Sequence, residues 1–171
     1  MKTTAVVLAL GLALLGAGVV SARRGAPEVR LLDSDRDAAI AAVQGFVTIS
    51  THLARSGGDA RFADRLPAMP EVVDEVMGGL AFTRHSGRRE EPQLIRVNVS
   101  AVEPGPQGTV EVATAEYWVV RGFRLSDGAP EPQPRVDVVR ARYTVQREGS
   151  GWKVASWTID VAPPPPAGQG G

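Results

Sequence analysis

Residues 135 to 161, RVDVVRARYTVQREGSGWKVASWTIDV, decide how the fold is read. From Val139 the odd positions run Val139, Ala141, Tyr143, Val145, and the even ones Arg140, Arg142, Thr144, Gln146. That is a period of two with one apolar face, the mark of a half-buried strand. After Glu148 come Gly149-Ser150-Gly151 and a second alternating run with Ala155, Trp157, Ile159 and Val161 in one phase. A three-residue loop, with Gly151 in the left-handed conformation, predicts Val145 opposite Ala155, Tyr143 opposite Trp157, Ala141 opposite Ile159 and Val139 opposite Val161. The other face then sets Arg140 against Asp160 and Thr144 against Ser156. A two-residue loop would put Arg142 opposite Trp157 and split the apolar pairs, so the three-residue register is preferred. One face of this hairpin must be covered.

The chain's 171 residues, 43% hydrophobic and 22% charged, suit one globular domain with appendages. Nineteen basic residues balance nineteen acidic ones, which leaves no global field to attract nucleic acid. With no cysteine, disulfides, thiolate metal sites and a cysteine nucleophile are excluded.

The chain opens with Lys2 and an uninterrupted apolar run from Ala5 to Val20, followed by Val20-Ser21-Ala22 and then Arg23-Arg24. Small residues at the last and third-last positions suit a signal-peptidase site. The run also approaches the roughly 20 residues of a membrane span. Residues 1–22 are therefore read as a signal peptide or a membrane anchor through residues 5–20, with the domain outside the cytoplasm, and residues 23–34 as a linker.

Asp33-Ser34-Asp35 offers N-cap oxygens for a helix whose Ala39, Ile40, Val43, Phe46, Val47 and Leu53 form a stripe at spacings of three and four, ending at Ser56-Gly57-Gly58. Ala60 to Leu66 reads as a short second helix. Pro70 suits the first turn of a third, lined by Val72, Val73, Val76, Met77 and Leu80 and ending before or across Gly78-Gly79. Arg84 to Glu91 reads as a solvated charged loop.

From Gln93 the period changes to two: Ile95, Val97, Val99 and Ala101 alternate with polar residues up to the turn at Glu103 to Gly108. Thr109 to Phe123 forms the next strand, and Ser126 to Pro134 is an exposed proline-rich loop. The hairpin follows. Residues 163–171 form a disordered Pro/Gly tail. The expected fold is α+β: about three helices on one face of a curved four-stranded antiparallel sheet, preceded by an N-terminal hydrophobic helix.

This layout over residues 35–162, with the closing pattern Arg142-Tyr143-Thr144-Val145, Gly151-Trp152-Lys153-Val154 and Trp157, resembles the nuclear transport factor 2-like superfamily, the cone-shaped cystatin-like fold. The closing strands also resemble the terminal domain of cyanobacterial and plastid division proteins. The resemblance implies a cone-shaped pocket between sheet and helices, with Tyr143, Trp157 and one of Tyr117 or Trp118 as its walls; the same aromatics would serve equally as plain core. It further implies a sheet face available for dimers, which would carry Arg140, Arg142, Thr158 and Asp160. Because this fold hosts isomerases, dehydratases, hydrolases and non-catalytic domains alike, it does not decide function.

Enzymes of the superfamily keep a carboxylate at the pocket floor, and Glu116 is the catalytic candidate, since it shares a strand face with Val112, Thr114 and Trp118. Solvent exposure, or pairing with Arg140 or Arg142 on a neighbouring strand, is the preferred reading of it. Nothing in their spacing couples His52 or His85 to a carboxylate. Asp33, Asp35 and Asp37 echo a calcium loop, but Ala38 stands where that loop needs glycine and the closing glutamate is missing, so the acids are read as helix capping. No phosphate loop and no Gly-x-Ser-x-Gly elbow occurs. No cofactor and no metal are expected. The preferred reading is a non-catalytic extracytoplasmic domain for protein assembly, with an envelope protein or itself through the sheet face, or for binding a small apolar ligand. The alternative is a small-molecule isomerase or hydrolase using the pocket carboxylate.

Overall fold

The computed structural model describes residues 31–162, with side chains through Asp160. The expected hydrophobic helix of residues 1–22, most of the linker and the tail lie outside the described residues. Helix α1 spans Asp33–Ser56, α2 Ala60–Ala63 and α3 Pro70–His85. Strands β1 (Arg88–Pro104), β2 (Val110–Arg124), β3 (Arg135–Glu148) and β4 (Gly151–Ala162) form one antiparallel meander in sequence order. The helices pack on one face of this curved, unclosed sheet, as the α+β reading expects. No described helix is long and apolar enough to cross a membrane.

α1 starts earlier than the capping pattern implied. Leu32 is its N-cap and makes no side-chain cap, so Asp33 and Asp35 lie in the first turn, where the helix dipole favours acids. Its buried stripe, Ala39, Val43, Phe46, Val47 and Leu53, faces the sheet. At the other end Gly57 adopts φ +72°, and the Gly57 and Gly58 amides donate to the carbonyls of Ala54 and Leu53, closing the last turn. α2 stops at Ala63 instead of Leu66. Pro67 disfavours helical backbone at Leu66, and the chain straightens so that Met69 N–H donates to Val154 O (2.8 Å) and Val154 N–H to Pro67 O (2.9 Å). This short parallel bridge covers part of the β4 edge. α3 runs across Gly78-Gly79 to His85.

Two stretches differ from the alternation read in the sequence. β1 begins at Arg88, so most of the charged stretch before Gln93 is strand, not solvated loop: Arg88 bridges Glu131 at 2.6 Å, and Arg89 bridges Glu91 at 2.9 Å. Farther along, register shifts at Leu94/Arg96 and Val99/Ala101 insert two bulges. Leu94, Val99 and Val102 consequently pack against the core, whereas Ile95 is 57% exposed. Bulges bend and twist a strand, and these two curve β1 over the helices.

In the closing hairpin, Tyr143 pairs with Trp157, Ala141 with Ile159, Val139 with Val161, Arg140 with Asp160 and Thr144 with Ser156, all as the three-residue register predicted. Nearer the turn the ladder shifts. Val145 pairs with Val154, Glu148 pairs with Gly151, and Ala155 is left as a bulge. The loop is therefore the two residues Gly149-Ser150, and Gly149, not Gly151, takes positive φ (+58°). Burial accounts for the shift: the bulge turns Val154 inward beside Val145, and both are fully buried.

Candidate functional site

Along β2 the inward positions Thr114, Glu116 and Trp118 follow at intervals of two. Glu116, only 3% exposed, sits among them facing α1. Its Oε1 accepts hydrogen bonds from Thr114 Oγ1 at 2.8 Å and Tyr143 Oη at 2.7 Å. Oε2 accepts one from Trp118 Nε1 at 3.0 Å. Val112 faces Tyr143 in the ladder, so the phenol reaches Glu116 by leaning along the sheet from the neighbouring strand.

A buried carboxylate without hydrogen bonds would be costly, and here three donors offset its desolvation. No cation lies in ion-pair contact with Glu116 among the described residues. Burial, reinforced by the adjacent Glu116 charge, pushes the Tyr143 phenol far above the ordinary tyrosine range, so it remains a proton donor to the carboxylate.

Above this group lies a cavity of about 100 Å³ between α1, α3 and the sheet. Phe46, Val47, Val76 and Leu80 form its helical side, and Trp118, Tyr143, Trp157 and Ile159 its sheet side, with Glu116 and Asp137 as its only charged lining among the described residues. Phe46 holds the aromatic wall in place by edge contacts to Tyr143 (centroids 5.9 Å apart, planes at 68°) and Trp157 (5.5 Å, 73°). Trp157 Nε1 also donates to Glu75 Oε2 on α3 at 3.2 Å.

Tyr143, Trp157, Trp118 and Glu116 thus come together around one space. Tyr117 does not join them. It lies on the opposite sheet face beneath the Arg96 guanidinium, 4.3 Å from the ring centroid, because successive strand residues point to opposite faces. The histidines stand apart from the cavity: His52 stacks on Phe62 at 5.5 Å, and His85 ends α3.

Arg140, Arg142, Thr158 and Asp160 lie together on the outer face, around a shallow groove floored by Ala113 and Ala115. Arg140 and Asp160 are ladder partners but form no ion pair. Arg96 and Arg121 share this face, and none of the four arginines pairs with a carboxylate among the described residues.

Sequence reasoning missed a polar cluster at the cavity's edge. Glu90, 6% exposed, meets Arg135 at 3.4 Å, and Arg135 Nε binds both oxygens of Asp137, at 2.9 and 2.7 Å. Burial works against the Arg135 charge, but the bonds to Asp137 and the charge of Glu90 hold its pKa above the ordinary value. The alternation Arg135-Val136-Asp137 places both charged groups on one face and was the available signal. Thr114 carried a similar one, two residues before Glu116. Among the described residues no group of three metal-ligating side chains occurs.

No protein-family model matches the sequence, and no curated protein does. Solved structures do resemble the fold. The intermembrane space region of the chloroplast protein ARC6 superposes with a TM-score of 0.59 at 16% identity, covering 75% of this chain and 98% of that one. A protein from Catenulispora acidiphila (TM-score 0.47, 16% identity, 75% and 94% covered) and Aln2 from a Streptomyces species (0.43, 20%, 71% and 88%) are more distant. The likeness to the ARC6 region is one of fold alone.

Proposed function

We propose that this chain is a non-catalytic binding domain of the nuclear transport factor 2-like type, held outside the cytoplasm, whose cone receives a small, largely apolar ligand. The observation that carries this reading is the fixed carboxylate in the apolar cavity: Glu116 is bound by Thr114, Tyr143 and Trp118. Small-molecule sites combine apolar walls with a few placed polar groups in this way. A cavity of about 100 Å³ is smaller than the dry cavity of about 150 Å³ that takes up benzene, so a ring-sized ligand enters it only in part.

The enzyme reading is weaker on the same geometry. A general base has to reach the proton it removes and then pass it on. Asp137, the other carboxylate of the lining, is held by Arg135, and no histidine among the described residues lines the cavity to relay a proton from Glu116. Placement outside the cytoplasm is supported by the apolar run from Ala5 to Val20 and by the description of the ARC6 region as lying in an intermembrane space. N-terminal sequencing of the exported protein tests it and separates a cleaved peptide from an anchor.

Benzyl alcohol titrated into the full-length chain, with the indole N–H resonances of Trp118 and Trp157 followed by NMR, tests the binding reading. Saturable shifts that disappear when Thr51→Trp blocks the cavity rim are expected. Failure of both resonances to respond would contradict it.

Assembly is the second reading, favoured by Arg140 and Arg142, unpaired among the described residues, beside Thr158 and Asp160 on the outer face, which no described helix covers. It predicts a salt-sensitive contact, with a second copy or with an envelope protein, that R140E/R142E abolishes. Sedimentation at rising concentration and salt measures the self-contact; a chain that stays monomeric throughout contradicts self-association.

A further inference from the structure

We infer that the cone is built for an amine: a primary or secondary ammonium group attached to a small apolar body, with the ammonium against Glu116. This rests on the binding reading above and names the ligand class for that same cavity.

Glu116 is a buried carboxylate whose described neighbours supply hydrogen bonds but no positive charge. Its three donors are a threonine hydroxyl, a tyrosine hydroxyl and an indole N–H, all neutral. Hydrogen bonds from neutral groups satisfy the lone pairs yet leave the net charge uncompensated in an apolar surrounding. The rest of the lining supplies no countercharge. Its other charged residue is Asp137, and no lysine, arginine or histidine among the described residues lines the cavity. The nearest arginine of the adjoining cluster, Arg135, is already divided between Asp137 and Glu90.

The hydrogen-bond count leaves a place for the ligand. Oε1 already accepts two bonds, whereas Oε2 accepts one, from Trp118. A carboxylate oxygen offers two lone pairs, so Oε2 retains an acceptor position. An ammonium N–H there forms a charge-assisted bond and supplies the missing countercharge. Around it stand Phe46, Trp118, Tyr143 and Trp157. Aromatic faces attract a cation and also cover an apolar body, whereas an anionic ligand would meet the unpaired Glu116 carboxylate. A neutral alcohol can occupy the same position but leaves the charge uncompensated.

The test compares benzylamine, benzyl alcohol and benzoate on the full-length chain, reading the Trp118 indole N–H, which itself donates to Glu116. Benzylamine is expected to bind at least tenfold more tightly than benzyl alcohol, and benzoate more weakly than either. Glu116→Gln should erase the amine preference, bringing benzylamine down to the affinity of benzyl alcohol. The wild-type ratio decides the matter by itself, should the Glu116→Gln variant fail to fold. Equal affinity for amine and alcohol overturns the amine inference and leaves the binding reading standing. Failure of all three probes to move Trp118 or Trp157 overturns both.

Discussion

Replacing Tyr143 by phenylalanine removes one oxygen and nothing else from the aromatic wall. The hydroxyl lost is the one that donates to Glu116 Oε1 at 2.7 Å, in a residue only 2% exposed. Thr114 and Trp118 remain, so the carboxylate keeps one donor on each oxygen. A hydrogen bond to a charged group contributes about 1.5–3 kcal/mol, and a buried acceptor left short of partners sits at the upper end. We expect Tyr143→Phe to destabilise the fold by about 2 kcal/mol. With a urea m-value of roughly 2 kcal/mol/M for a domain of this size, the midpoint falls by about 1 M at unchanged slope. The Phe46 edge contact is preserved, so ring packing does not contribute to the loss. A double-mutant cycle with Glu116→Gln isolates the pair, and a coupling of about 1 kcal/mol or more is expected. An unchanged midpoint, or losses that simply add, would refute the view that the phenol holds the carboxylate.

Other consequences follow from the same geometry. Because the folded state raises the Tyr143 pKa above its ordinary 10.0, stability is fully present below about pH 10 and declines as pH rises beyond it. The unfolded chain then loses the proton first, at up to about 1.4 kcal/mol per pH unit. Urea midpoints between pH 8 and 11 check this, and Tyr143→Phe should flatten the decline. Gly149→Ala should cost about 1 kcal/mol or more, since φ there is +58°. Gly151→Ala, at a position without positive φ, should cost clearly less, and equal losses in thermal unfolding would contradict the two-residue turn. Phe46→Ala should cost about 3–5 kcal/mol by emptying the space against Tyr143 and Trp157; denaturant unfolding measures it. Arg135→Met removes the partner of Asp137 and leaves Glu90 only Arg88, 3.9 Å away, and should destabilise by about 3 kcal/mol, whereas a loss under about 1 kcal/mol would show that the cluster is solvated.

Much of this was legible because alternation is a strong signal when one face is buried. The Tyr143–Trp157 and Arg140–Asp160 pairs followed from spacing alone, and the stripe on α1 from its three-and-four rhythm. Bulges were not legible. An extra residue such as Ala155 or Ile95 leaves the composition unchanged, and only the burial of Val154 or the packing of Leu94 against distant helices selects it. The early start of β1 was hidden because its charges meet residues far along the chain, as Arg88 meets Glu131. Glu116 was legible as a candidate from its strand phase, but its environment was not: Tyr143 lies 27 residues downstream, and its donation depends on how two strands lean together. Tyr117 and Trp118 were left undivided as walls because either phase of β2 could have faced the helices. Burial of Val112, Thr114 and Glu116 settles which one does.

Soaking a crystal of the full-length chain with benzyl alcohol shows whether the cone takes a ligand. Density for the probe is expected against Trp118, Trp157 and Phe46, with its hydroxyl within hydrogen-bond distance of Glu116 Oε2. A cavity that stays filled by protein side chains, with the probe bound elsewhere or not at all, would contradict the binding reading.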